Sequence, residues 1–343
     1  MMIKEAIRRL VRGQSLDAAA MQDVMRGILS GAVLPSQIAA ITVALRMKGE
    51  TTEELSAAVQ VLRDSCLRLV IPDELRAQPI LDTCGTGGDG VGTFNVSTLS
   101  AIVVAAAGVR VAKHGNRAVS SRTGSADLLE ALGVNIHVEP AMSVRCLHEV
   151  GITFLFAPMY HAAMRFAAPV RQELGIRTFF NLLGPLCNPA VPSHQLLGVY
   201  DPTRIAQMAE VLHVLGAERA WVVHGDGGLD EVSVSGPTQV AELHQGEVSL
   251  FQVSPEDFGM TRHPLAALAG GDAEENARIA QSVLRAESSA YRDAVVLNAA
   301  AALYVAQVAS DYREARAQAE RAIQSGAAMD LLQRWKSECL PTS

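Results

Sequence analysis

Aromatic side chains are scarce: they make up 4% of the 343 residues in a chain that is 49% hydrophobic and rich in alanine. Small apolar side chains suit helices packed closely on a sheet. Cysteine is sparse too. The five present (Cys66, Cys84, Cys146, Cys187, Cys339) are odd in number and lack any C-x-x-C spacing, which fits reduced thiols in the cytoplasm. Positive charge is in deficit, with a net charge of −7, and this argues against nucleic acid as the main partner. Long apolar runs are missing: residues 294–309 form the longest, broken by Asn298 and Gln307, too short for a bilayer and readable as a buried helix. The first residues carry Lys4, Glu5, Arg8 and Arg9 where a signal peptide needs an apolar core. A cytoplasmic protein without membrane contacts is the expectation. The length exceeds what one hydrophobic core usually serves, so two domains are expected.

What the chain does have is concentrated in residues 82–129. Gly85, Gly87, Gly88 and Gly90 fall close together after a short apolar run, Pro79-Ile80-Leu81, that reads as a strand. Bare backbone N–H groups and access to positive φ let such a loop wrap an anion. Ser97 or Thr98 is placed to cap a helix running to Gly108, its N-terminus towards the same anion. A second strand at 109–112 then delivers Lys113, His114, Asn116 and Arg117. Loops that follow parallel strands meet at one sheet edge, so both loops should face one ligand.

Other readings of the glycines are weaker. Gly85, Gly87 and Gly90 match G-x-G-x-x-G, but that dinucleotide pattern needs an immediate helix and an acidic residue about twenty positions on. Here residues 91–95 delay the helix and the region near 110 is basic. A nicotinamide site therefore fails, and so does a Walker loop, because no Gly-Lys-Ser/Thr closes the motif. A glycine turn without a ligand leaves Lys113, His114, Arg117 and Arg122 unexplained in an acidic chain.

Residues 3–70 read as four helices with no strand. Stripes at Ile3, Ile7, Leu10 and Val11 and at Met21, Val24, Met25, Ile28 and Leu29 define the first two. Pro35 opens the third, and a capping box, Thr51 to Glu54, opens the fourth. From about residue 75, strands (79–82, 109–112, 135–137, 153–156, 196–199, 219–224) alternate with helices (98–107, 126–132, 141–149, 203–215). This predicts an α/β fold whose mostly parallel sheet is covered by helices. Between 158 and 192 the rhythm fails: 161–174 and 178–183 read as helices that pack back on the N-terminal bundle. The expected domains are a small helical one, residues 1–72 with 160–190, and a larger α/β one, residues 73–159 with 191–343. A strand at 248–253, a capping box from Asp272 to Glu275, and three helices to about Trp335 close the chain.

Two further clusters carry chemistry. The strand ending at His224 runs into a glycine loop with Asp226, Asp230 and Glu231. Crowded carboxylates repel, and a hard ion such as Mg²⁺ relieves that with help from phosphate oxygens; a solvated acidic turn is the plainer reading. Arg165 and Arg171 lie in an otherwise apolar stretch, with His161 four residues before Arg165 and so on one helical face. Arginine suits bidentate capture of a carboxylate, although a surface or interdomain salt bridge explains either one alone.

Several motifs together resemble the anthranilate phosphoribosyltransferase family. They are Gly85-Thr-Gly-Gly-Asp-Gly90 with Thr93-Phe-Asn-Val-Ser-Thr98, Lys113-His-Gly-Asn-Arg-Ala-Val-Ser-Ser121, and Gly124-Ser-Ala-Asp127. Arg171-Gln-Glu-Leu-Gly-Ile-Arg-Thr178, Asn181-Leu-Leu-Gly-Pro185, Asn188-Pro189 and Leu229-Asp-Glu-Val232 complete the set, and the resemblance extends to about residue 335. It implies a nucleoside-phosphorylase-like architecture and a homodimer formed through the small domain. It also implies transfer of the phosphoribosyl group of phosphoribosyl diphosphate to anthranilate, the second step of tryptophan synthesis from chorismate, with two Mg²⁺ per monomer. Diphosphate and ribose contacts then fall on Gly85, Gly88, Asp89, Thr93, Asn95, Val96, Ser97, Thr98, Lys113, His114, Gly115, Asn116, Arg117, Ala118, Val119, Ser120, Ser121 and Ser125. Metal positions fall on Ser97, Asp230 and Glu231, and anthranilate contacts on Gly85, Asn116 and Arg171. Lys113, His114, Asp230 and Glu231 take the catalytic roles, with Lys113 helping to neutralise the leaving diphosphate. Met159 stands where a lysine is frequent and Ala162 where proline is common, which touches only the wall of the anthranilate channel. A pyrimidine nucleoside phosphorylase on the same fold, or a non-catalytic nucleic-acid-binding relative, are the alternatives; the acid pair and the negative charge oppose the second.

Overall fold

The computed structural model describes residues 2–88, 90–118 and 122–338. Four helices open the chain: α1 (Ile3–Val11), α2 (Ala18–Leu29), α3 (Pro35–Lys48) and α4 (Thr52–Ser65). Their starts follow local chemistry. The Asp17 carboxylate caps α2, and Thr51 and Glu54 form the expected reciprocal box at α4, 3.1 and 2.8 Å long. Glu54 also accepts from the Leu16 amide (2.9 Å) and Lys48 (2.8 Å), so one buried carboxylate ties three segments of the bundle together.

A short α5 (Asp73–Arg76) leads into β1 (Ile80–Gly85), α6 (Val96–Ala106), β2 (Arg110–Gly115), α7 (Ser125–Ala131), α8 (Pro140–Glu149) and β3 (Ile152–Phe156). After α9 (Ala157–Tyr160), a 3₁₀ turn (Ala162–Phe166), α10 (Ala168–Leu174) and α11 (Phe179–Leu183) come β4 (His194–Gly198), α12 (Ile205–Val214) and β5 (Arg219–Gly225). A hairpin, β6 (Thr238–His244) and β7 (Glu247–Val253), precedes α13 (Ala273–Leu284), α14 (Ala290–Val305), α15 (Tyr312–Gln324) and α16 (Ala327–Glu338). The sheet runs β3-β2-β1-β4-β5-β6-β7, with β1 to β5 parallel and the last two strands antiparallel. The C-terminal ends of β1, β2, β4 and β5 therefore open on one edge, as expected for a shared ligand.

Sequence and structure part in several places. Residues 135–137 are not a strand: Val134, Ile136 and Val138 alternate into the core, but no strand pairs with them. Strand β6 was not expected; it is ordered by pairing on both sides and by a turn in which Gln245 and Gly246 both have positive φ (51° and 80°). Helix α6 starts at Val96, and its N-cap Asn95 makes no side-chain cap bond, so neither Ser97 nor Thr98 is the cap. Residues 161–174 are not one helix, because Pro169 starts a new one and the preceding turn is 3₁₀; His161 and Arg165 do not share an α-helical face. Four helices, not three, end the chain, with Gly326 (φ 83°) dividing α15 from α16.

Helix α14 is buried through most of its length, as its composition implies, and its Asn298 has a purpose. Asn298 donates to the Val232 carbonyl (2.9 Å) and accepts from the Val232 amide (2.8 Å), clamping the backbone next to Glu231. Helices α6, α14, α15 and α16 share one apolar core with the sheet. A second core joins Leu197 and Val222 of the sheet, with Val199 just beyond β4, to α12, to the N-terminal bundle and to Phe179, Phe180 and Leu183. Among the described residues no helix is long and apolar enough to cross a membrane.

Candidate functional site

The glycine loop leaves β1 with Gly87, Gly88, Gly90 and Gly92 all at positive φ (67° to 78°), a conformation that side-chain-bearing residues resist. Opposite lies the loop after β5. It can come this close because Gly85 and Gly198 lack side chains: a Cβ on Gly198 would fall 1.6 Å from the Asp230 carbonyl oxygen, and one on Gly85 would fall 2.3 Å from Asp230 Oδ2. The Gly87 amide donates to Asp230 Oδ2 (2.7 Å), and the Ser97 amide, in the first turn of α6, donates to Glu231 Oε1 (3.1 Å). Both carboxylates thus sit on N–H groups of the kind that hold phosphate. Asp226 does not join them; it accepts from Ser235 Oγ at 2.9 Å, so the three acids adjacent in sequence are two in space.

The acids and Ser97 form a set of hard oxygen donors, which suits Mg²⁺ bound through one or two carboxylates plus substrate phosphate. Among the described residues no group of three or more His, Cys, Asp or Glu gathers as a complete protein-only metal site. Phosphate oxygens would have to complete the shell.

Lys113 lies differently from its expected place. It is 1% exposed and donates to the Thr83 carbonyl and to Ser97 Oγ (3.3 Å), inside the first turn of α6 rather than on the open side of the loop. Its charge helps to hold Asp82, whose carboxyl is raised to about 6 by burial and drawn back by Lys113 and by Asn188, which donates at 2.8 Å. Asn188 also donates to the Ala112 carbonyl at 2.7 Å, so it links β1 to β2. Asn188 stands in the Asn188-Pro189 motif, and a buried amide between two strands has no local signal.

His114 is buried, and burial together with the neighbouring His161 lowers its pKa to about 3. Burial lowers His161 to about 4, and the two rings meet edge to face, their centroids 5.2 Å apart. Gly115 packs under Phe154, where a Cβ would lie 2.8 Å from the ring. Asn116 and Arg117 are exposed. Arg117 is already engaged, with Asp127 at 3.0 Å and Glu130 at 2.9 Å, while Asp127 accepts the amides of Ala118 and Gly124. Asn95 donates to the Thr123 carbonyl (3.0 Å) and Thr98 Oγ1 to Ser125 Oγ (3.1 Å), joining the start of α6 to the start of α7. Thr93 bridges to Ala269, and Val96 is buried in the core. Asp89, Val119, Ser120 and Ser121 lie outside the described residues.

The arginines sit on the helical insert. Arg171, half-buried on α10, lies with its guanidinium 5.5 Å from the Phe180 ring centre, and burial lowers its pKa. Arg165 rests on Phe166 at 4.6 Å. Arg177, six residues after Arg171, rests on Tyr200 at 4.2 Å and closes against the glycine loop. A signal was present in the motif that runs from Arg171 to Thr178, but nothing in it says which arginine reaches the loop.

Comparison with known proteins places the whole chain in a family. Residues 77–329 match the model of the α/β domain of the glycosyl transferase family, and residues 4–66 match the model of its helical bundle domain. The anthranilate phosphoribosyltransferase of Desulfatibacillum aliphaticivorans is 50% identical over 332 residues, 97% of each chain. The crystal structure of anthranilate phosphoribosyltransferase from Thermus thermophilus superposes with a TM-score of 0.91 at 44% identity, covering 97% of this chain and 99% of that one. That of Saccharomyces cerevisiae, in complex with PRPP and Mg, gives a TM-score of 0.88 at 29% identity, covering 98% and 97%. The chain belongs to the anthranilate phosphoribosyltransferases.

Proposed function

We propose that the site transfers the 5-phosphoribosyl group of phosphoribosyl diphosphate to the amine of anthranilate, giving N-(5-phosphoribosyl)anthranilate and diphosphate in the second step of tryptophan synthesis from chorismate. The observation that carries this reading is the pair Asp230 and Glu231, held on amides of the glycine loop and of α6. Asp230, Glu231 and Ser97 would hold Mg²⁺, two ions per monomer, and the metal supplies charge neutralisation for the leaving diphosphate.

The protein's own groups do the rest. The Gly87 and Ser97 amides that now hold these carboxylates are of the kind that bind phosphate oxygens, and they would be free for the substrate with Asp230 and Glu231 holding the metal. Positive charge develops on the ribose as the bond to diphosphate breaks, and the anthranilate amine attacks from the opposite face. An aromatic amine needs no strong base towards such a centre, and a histidine lowered to about 3 is a poor one. His114 acts as a neutral positioning group, and Lys113 acts from beneath by fixing Ser97 and the end of β1. Arg171 holds the anthranilate carboxylate through its two-pronged guanidinium. A phosphorolytic enzyme on the same fold gives Arg171 nothing to do.

The helical part, residues 1–72 with 160–190, supplies the contact between two copies in the cytoplasm; Met2, Val11, Leu34 and Met47 are exposed apolar side chains on it. The test is the fluorescence of anthranilate on adding phosphoribosyl diphosphate with Mg²⁺. Fluorescence should fall, and chelation of the metal should stop the fall. Phosphorolysis of a pyrimidine nucleoside, with anthranilate left untouched, would replace this reading with the runner-up. Light scattering should give twice the 36.4 kDa chain mass.

A further inference from the structure

We propose that Arg177 is a second cation for the diphosphate, brought across the glycine loop by the helical insert. The inference rests on reading that loop as the diphosphate site. Of the basic residues the sequence aimed at the anion, Lys113 is buried under Ser97, Arg117 is paired with Asp127 and Glu130, His114 is neutral, and only the exposed Arg122 is left uncommitted among the described residues. The sheet edge thus supplies amides but commits much of its positive charge elsewhere, while a leaving diphosphate gains negative charge as the reaction proceeds.

Arg177 meets that need from the other side. It is exposed, and it follows the left-handed Gly175 (φ 60°) that ends α10. A side chain on Gly88 would have its Cβ 3.0 Å from Arg177 Nε and 3.3 Å from Cζ, so the bare backbone of the loop is what lets the guanidinium lie there. The guanidinium carbon lies over the Tyr200 ring, 4.2 Å from its centre. Tyr200 is itself tied to the loop, since its amide donates to Thr86 Oγ1 (3.2 Å) and the Thr86 amide donates to the Gly198 carbonyl (2.9 Å). Loop, ring and arginine therefore form one stack. Stacking fixes the plane of a guanidinium and leaves its in-plane N–H donors unspent. Among the described residues those donors make no hydrogen bond or ion pair. An oxyanion on the open side of Gly87 and Gly88 would receive them.

The experiment is calorimetric titration of the full-length protein with magnesium diphosphate, for Arg177→Ala, Arg177→Lys and Gly87→Val, alongside KM values for both substrates. Arg177→Ala should weaken diphosphate about ten- to hundred-fold, the scale of a lost charged hydrogen bond. Arg177→Lys should recover part of this, and the KM for anthranilate should stay within about twofold. Diphosphate affinity unchanged in Arg177→Ala, or an equal loss of both substrates, overturns the assignment. Gly87→Val tests the premise separately: if it leaves diphosphate binding intact, the loop reading falls and the Arg177 inference falls with it. Loss with Gly87→Val and none with Arg177→Ala removes Arg177 alone.

Discussion

On the sheet edge, Arg117 is answered by Asp127 and Glu130, Lys113 by Thr83 and Ser97, and Asp230 and Glu231 by backbone amides. On the helical insert, Arg165, Arg171 and Arg177 rest on Phe166, Phe180 and Tyr200 and on no carboxylate among the described residues. The contrast separates two kinds of readiness. On the proposed reading, a carboxylate on amide N–H groups is a stand-in: replacing it by a phosphate would exchange one oxyanion for another and leave the loop as it was. An arginine on a ring is oriented but unspent, because the ring contributes about 0.5–1 kcal/mol at an exposed site and a charged hydrogen bond about 1.5–3 kcal/mol. An arriving anion therefore keeps the stack and adds to it. In a chain with 4% aromatics, five rings among the described residues lie under arginines, three of them under arginines of the insert; Arg117 has both a ring, Phe156, and its carboxylates.

The largest effect should come from removing the stand-ins. Replacing Asp230 by Ala and Glu231 by Asn together should lower turnover by about two to three orders of magnitude, the scale of one lost electrostatic stabiliser. The melting temperature should move little, since Asn298 still clamps Val232. An unchanged Mg²⁺ dependence of rate in this variant would show that the pair is only a structural brace for the loop. The sheet edge would then have no metal role to set against the insert.

A smaller effect, on the other side of the comparison, should follow loss of an unspent arginine. Arg171→Ala should raise the KM for anthranilate about ten- to hundred-fold, and Arg171→Lys should restore only part, because an ammonium lacks the fork. Affinity for phosphoribosyl diphosphate, measured separately, should hardly change. Equal weakening of both substrates would make Arg171 a strut between the two parts of the molecule, and the distinction between edge and insert would lose its chemical meaning.

The sheet edge was the more legible half. Clustered glycines, a following helix and an adjacent acid pair declare their chemistry within a few residues, and the structure joins Gly87 to Asp230 and Ser97 to Glu231. What escaped was decided by tertiary contact. Lys113 stands at the end of a strand like any phosphate-binding lysine, yet burial under Ser97 turns its charge inward. Asp226 is a neighbour of the acid pair in sequence, but Ser235 takes it away. In the insert, spacing suggested one helix, whereas Pro169 broke it and changed which side chains lie together. Arg177 could not be told from Arg165 until Gly88 and Tyr200 stood beside it.

The smallest effect expected is on stability, and it tests whether the edge keeps its histidine neutral as firmly as it pairs its other charges. His114 is lowered by burial and by His161 to about 3, against an ordinary value of 6.5. A depressed pKa means that below pH 6.5 the unfolded chain takes up a proton that the folded one refuses. His114 therefore contributes stability that is fully present above about 6.5 and is lost progressively as pH falls towards 3. The slope is at most about 1.4 kcal/mol per pH unit for one proton. Asp82, raised to about 6, opposes this, because the folded state binds its proton first and gains stability as pH falls through 6. His114→Gln removes only the first contribution, and the unpartnered Nε2 of His114 means that no hydrogen bond is lost at that atom. Urea unfolding of both proteins at pH 6.5, 5.75 and 5.0 should show the parent losing stability faster than the variant, by up to about 1.4 kcal/mol per pH unit. Parallel curves would mean that His114 titrates in the folded protein near its ordinary value. Proton transfer by His114 would then enter the mechanism, and the sheet edge would gain a charge that its own neighbours do not answer.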